Sequence, residues 1–187
     1  MRRFVQTASI LICIVGLASG FATVARADDA SKRAGIDSSV DAALSNLYAS
    51  VPGSQDVVRR GAGVLVFPNI AKAGFIVGGA TGDGALRVGG RSTGYYNTSG
   101  LSFGLQAGAE THSLAFVFMT PDALRHFQSS DGWDAGADAS VAVVKVGGGG
   151  KLDASQMTKP VQVFVFGNKG LMGSLSLEGT KITKLKM

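Results

Sequence analysis

The chain has 187 residues, a formal charge of +5, 27 glycines and a single cysteine. Removing a leader that holds Arg2, Arg3 and Arg26 cuts 18 basic residues to 15, against 13 acidic ones. A remaining charge of +2 gives no general case for nucleic-acid binding, and one cysteine excludes a disulfide framework or a cysteine-rich metal site.

The first 27 residues read as a secretory signal. Arg2 and Arg3 form the positive end, Phe4 to Gly20 is mostly apolar but too short and interrupted to span a bilayer, and Ala25-Arg26-Ala27 is a small-x-small cleavage site. The expected product starts at Asp28 and has 160 residues, enough for one domain spanning 28–187. Its expected location is the periplasm or the cell exterior. Cys13 lies inside the apolar stretch and follows Ile12, where a lipid-acceptor cysteine usually follows a small residue, so no covalent lipid is expected.

In chain order, Ser38–Val51 predicts a helix, with Val40, Ala43, Leu44, Leu47 and Val51 on one stripe, a Ser38/Asp41 capping box and a Pro52-Gly53 stop. Its polar face lacks Lys and Arg, which favours packing on a sheet through Val40, Leu44 and Leu47 over lying on a membrane. A short turn of helix is expected at Gln55–Arg60. From Gly61 the pattern becomes strand-like: Val64–Phe67 before Pro68, Gly74–Val77, Ala85–Val88, the alternating Leu101–Ala107, Leu114–Phe118, Val141–Val146, Val161–Phe166 and Leu171–Leu177. Thr120-Pro121 opens one short internal helix with Ala123, Leu124 and Phe127 as its apolar stripe. The expected fold is α+β, with a mainly antiparallel, glycine-rich, curved or barrel-like sheet, an N-terminal helix and one short internal helix.

The stretch "GFIVGGATGDGALRV", Gly74 to Val88, raises a nucleotide question. A dinucleotide fingerprint beginning at Gly82-x-Gly84 would need glycine where Arg87 stands. A phosphate loop ending at Gly150-Lys151 would need glycine at Lys145 and Ser or Thr at Leu152. No long amphipathic helix follows either place to present its N-terminus to a phosphate. Gly78, Gly79, Gly82 and Gly84 are therefore read as shaping a curved hairpin, with the reversal near Thr81–Gly84 and no nucleotide bound.

Catalytic and metal signals are sparse. His112 is placed in the link "AETHSLA" and His126 on the short helix. Glu110 and His112 could share a strand face, but they lack an evident nucleophile. Asp131, Asp134 and Asp138 lack the spacing of a calcium loop, and the glycines around them read as turns. No enzyme activity, cofactor or metal is expected. The basic residues Lys32, Arg33, Arg59, Arg60 and Lys72 are the better lead: clustered, they would contact lipid head groups, while scattered they would be solvated surface.

Five blocks in order resemble the SYLF, or YSC84-like, domain: "GVLVFPNIAKAGFIVGGATGDGALRV", "SFGLQAGAET", "LAFVFMTPDALRHF", "GADASVAV" and "NKGLMGSLSLEGTKI". The resemblance covers about Ala34 to Lys184. It implies a non-enzymatic binding module, since eukaryotic relatives bind phosphoinositides and membranes, a fungal branch binds actin, and bacterial relatives are mostly secreted or lipid-anchored. The Trp and Pro that many relatives carry near Tyr95–Thr98 are missing here, as is a basic face on the first helix. For a secreted bacterial-type chain the implied partner is anionic phospholipid or a membrane surface. The alternative is a structural or stress-related envelope protein acting through a protein partner.

Overall fold

The computed structural model describes residues 18–73, 77–103, 110–144, 152, 158–167, 177 and 179–187. Among these residues, three helices, α1 (Ala18–Ser50), α2 (Ser54–Arg60) and α3 (Pro121–Ser129), accompany eight strands. These are β1 (Gly63–Ala73), β2 (Val77–Val88), β3 (Arg91–Phe103), β4 (Glu110–Phe118), β5 (Trp133–Asp134), β6 (Val141–Val143), β7 (Val161–Phe166) and β8 (Lys181–Lys184). The strands form one sheet in the order β5-β8-β3-β2-β1-β4-β7-β6, curled into a half-barrel. Every neighbouring pair is antiparallel except β6 with β7. This is the α+β architecture expected from the pattern.

Strand alternation builds a core on each face of the sheet. On β4, Leu114, Phe116 and Phe118 face one core, and Ala115 and Val117 face the other. On β7, Val161, Val163 and Val165 likewise oppose Phe164 and Phe166. A strand covered on both sides reads as a continuous apolar run, which is why Val161–Phe166 shows little polar alternation. Its one polar residue, Gln162, is 1% exposed and donates from Nε2 to the Lys159 carbonyl at 2.8 Å, which offsets the cost of burying the amide. α1 covers the face of Ala115, Val117, Phe164 and Phe166 through Ile36, Val40, Ala43, Leu47 and Val51. The opposite face holds Phe116, Phe118, Tyr96 and Ile182 against α3 and Trp133. There Phe118 stacks on Phe127 with centroids 4.9 Å apart, and Trp133 meets Phe116 edge-on at 5.6 Å.

Pro68 explains part of the curl. It lies within β1, a central strand, where a residue without an N–H normally cannot sit. The register shifts on both sides of it, between Phe67 and Ile70 against β4 and between Val66 and Ala71 against β2. The irregularity accommodates the missing donor and bends the strand. The Pro68 carbonyl still accepts a bond from Ser113 Oγ at 2.6 Å.

Several expectations need correction. The helix expected at Ser38–Val51 begins at Ala18, so Ser38 sits inside it and caps nothing. The alanine-rich stretch before Ser38 has no proline, and its two glycines, Gly20 and Gly35, do not break the helix. Within α1, Leu44 is only half-buried, while Val40 and Leu47 are fully buried. The chain does not reverse at Thr81–Gly84: β2 runs straight through those residues, paired with β3 at every step from Val77 to Leu86. The reversal is at Gly89-Gly90, whose φ values of 58° and 79° suit a two-residue hairpin turn that matches sheet twist. His112 is in β4 rather than in a link. The strand expected at Val141–Val146 is described as Val141–Val143, and that expected at Leu171–Leu177 lies outside the described residues apart from Leu177, as do Cys13, Lys145 and the Gly150-Lys151 pair.

Candidate functional site

The glycine-rich strand is a packing device. A Cβ on Gly84 would collide with the Val66 carbonyl and lie 2.6 Å from Phe67 Cδ1, and one on Gly82 would lie 2.5 Å from the Asn69 carbonyl. Both side chains would point into the backbone of bulged β1, so β2 can approach it only as glycine. Gly79 differs, since nothing lies within 4 Å of its added Cβ. Gly78 pairs with Ser102 within β2–β3.

The middle of α1 is fastened to β2 and β3 by polar contacts. Asp37 accepts from Ser92 Oγ at 2.6 Å and from Tyr95 Oη at 2.9 Å. Arg87 Nη2 donates to Asp41 Oδ1 at 2.7 Å and to the Asp37 carbonyl at 3.2 Å. Burial, then the bond to Asp37, pushes the Tyr95 hydroxyl above its ordinary pKa. One turn earlier, Lys32 Nζ pairs with Asp83 at 3.2 Å, and Asp83 also accepts from Asn97 Nδ2 at 2.7 Å. The Arg33 guanidinium lies 6.0 Å from the Tyr95 ring centroid, at the limit of a cation–π contact.

The other basic pair lies elsewhere. Arg59 Nη2 bonds Asp56 Oδ1 at 2.7 Å, and Arg60 Nε bonds the Asp56 carbonyl at 3.2 Å, both on exposed α2. From Arg33 to Ser50, α1 rises roughly 25 Å before the chain turns into α2. Lys32 and Arg33 on α1 and Arg59 and Arg60 on α2 are thus carried by separate helices. Lys72 stands opposite Ala80 and Glu110 in the ladder; its side chain lies outside the described residues.

Sequence reasoning passed over the basic C-terminal run. Lys181, Lys184 and Lys186 are exposed beside buried Ile182 and half-buried Leu185 and Met187. The text "KITKLKM" carries that alternation openly.

The acidic residues after α3 organise turns. Asp134 Oδ1 accepts from the Gly136 and Ala137 amides at 3.1 Å each. Asp138 accepts from Trp133 Nε1 at 2.7 Å and from the Ser140 amide at 2.8 Å. Burial opposes ionisation of Asp138, but the Ser140 and Trp133 bonds outweigh it and hold the carboxyl below its ordinary pKa. His126 is exposed, with Nε2 4.0 Å from Asp138. His112 is buried in β4, opposite Ile70 of β1. Among the described residues no helix is long and apolar enough to cross a membrane.

The family model described as "Ysc84: Las17-binding protein actin regulator" matches residues 99–186, from the middle of β3 through β8. No curated protein matches the chain.

Proposed function

Residues 99–186 match the Ysc84 family model, described as that of a binding protein, and from that likeness we propose that the protein is a non-enzymatic module that binds anionic phospholipid at a membrane surface. The family match carries the reading, because it points to binding rather than to catalysis. The proposed setting is a bacterial envelope, after removal of residues 1–27; the leader pattern supports it. Of the five basic residues named from sequence, Lys32 and Arg33 lie near the middle of α1, beside β2 and β3. Arg59 and Arg60 offer a separate exposed pair on α2, and Lys72 is retained as a contact residue of β1.

Exposed ion pairs such as Arg59–Asp56 contribute about 0–1 kcal/mol, so a head group can compete for these cations at little cost. Co-sedimentation with phosphatidylglycerol-containing vesicles tests the reading. Binding should weaken between low and high salt, because exposed charges act over about 8 Å at physiological ionic strength. It should weaken again in an Arg59→Glu/Arg60→Glu variant. Lipid that co-purifies irrespective of salt would move the ligand to an apolar site. A second reading, an envelope protein acting through a protein partner, draws on the family's description as binding a protein. It takes precedence if neither vesicles nor co-purified lipid are found.

A further inference from the structure

A second group of exposed cations lies away from the pairs named above. Lys32, Arg59, Arg87 and Arg125 are each in an ion pair with an aspartate. Lys181, Lys184, Lys186 and Arg91 are exposed and form no ion pair among the described residues. The sheet order brings these four together. β8 pairs with β3 from Tyr96–Lys184 to Ser99–Lys181, and the Leu185 amide continues the ladder to the Tyr95 carbonyl. The run therefore heads toward the start of β3, where Arg91 leaves the Gly89-Gly90 turn. The three lysines span roughly 16 Å of strand.

We propose that the β3–β8 edge, with Lys181, Lys184, Lys186 and Arg91 as its cations, is a docking surface for an anionic membrane. This inference rests on the lipid reading above and gives it a place in the fold. Charge complementarity is the first argument: no acidic residue falls within Lys181–Met187. Asp134 stands across from Lys181, but its Oδ1 is occupied by the Gly136 and Ala137 amides. The second argument is placement. β5 covers only Ile182 and Lys181, and among the described residues nothing pairs with the outer edge of β8 beyond them. Side chains on both faces of such a strand can reach past the edge, and lysine stems extend far enough to place ammonium groups at head-group level. The third is the apolar neighbour: Leu185 and Met187 are half-buried against the α1-side core, so their exposed parts can meet the interface while their packed parts hold the strand. Lysines on a free edge also discourage strand addition, which argues against a peptide strand as the occupant.

The test uses the full chain and vesicles of phosphatidylcholine with or without phosphatidylglycerol. A Lys181→Gln/Lys184→Gln/Lys186→Gln variant should bind the anionic vesicles roughly a hundredfold more weakly, since each surface lysine contributes about a fivefold factor in partitioning. A Lys→Arg version of the same three positions should bind like the parent, which separates charge loss from misfolding. If the parent binds and the Gln variant binds equally, the edge assignment is overturned and the lipid reading stands. If the Gln variant binds equally but associates with itself, the lysines protect an edge instead, and the assignment is again overturned. If the parent ignores anionic vesicles, both readings fail together. Loss of binding to duplex DNA with vesicle binding unchanged would also overturn the membrane assignment.

Discussion

Gly84→Ala is the sharpest test of how the glycine-rich strand is built. The added methyl would meet the Val66 carbonyl and lie 2.6 Å from Phe67 Cδ1. Neither obstacle can swing aside: Val66 is in the ladder between β2 and β4, and Phe67 is fully buried. Overpacking a core costs about 1–3 kcal/mol, and a collision with main chain in a central strand belongs at the upper end, about 3 kcal/mol. Urea unfolding followed by circular dichroism reads this directly. With a slope of about 2 kcal/mol per molar, the midpoint should fall by about 1.5 M at an unchanged slope. Gly79→Ala is the matched control. Its Cβ meets nothing within 4 Å, so the substitution should leave the midpoint unchanged or raise it slightly by restricting the unfolded chain. Equal midpoints for Gly84→Ala and the parent would refute the close-approach argument and reopen the question of what these glycines are for.

Leu47→Asp should abolish folding or cost more than about 4 kcal/mol, because it places an unpaired charge at a fully buried position under α1; Leu44→Asp, at a half-buried position, should cost much less, and thermal melts would separate the two. Asp138 supplies a pH signature. Its folded pKa is depressed, so its stabilisation is present above the ordinary value of 3.8 and is lost as pH falls through the folded value. Acid titration of Asp138→Asn should therefore show a lower plateau stability at neutral pH and a shallower loss below about pH 4; identical acid limbs would refute it.

What could be read from the sequence followed from local periodicity. Thr120-Pro121 opens α3 as expected, with the Thr120 side chain accepting from the Ala123 amide at 3.2 Å. The alternation of Leu114–Phe118 marked a strand because side chains point to opposite faces in turn. The hairpin reversal was misplaced because several glycine pairs compete within one stretch, and only the partner strand determines which of them turns. α1 was started too late because Ser38 and Asp41 look like a cap when nothing indicates whether helix precedes them. The basic pairs carried no information on their partners: Lys32 meets Asp83 and Arg87 meets Asp37 and Asp41 across some fifty positions of chain. Such contacts depend on how α1 crosses β2 and β3, which no local spacing records.

The place of β8 also has a consequence in time. β1, β2 and β3 follow one another through antiparallel pairings, so that part of the sheet can zip up from contacts close in sequence. The outer side of β3 has to wait, because Tyr96 meets Lys184 only after 88 further residues have been made. Loop closure over that length adds little to the final free energy but defers the event. A nascent or truncated chain would therefore expose an unpaired β3 edge and leave Trp133 without its neighbour Ile182. β8 acts as a late seal on the sheet begun by β1 to β3, and a chain that stops short of it is prone to self-association.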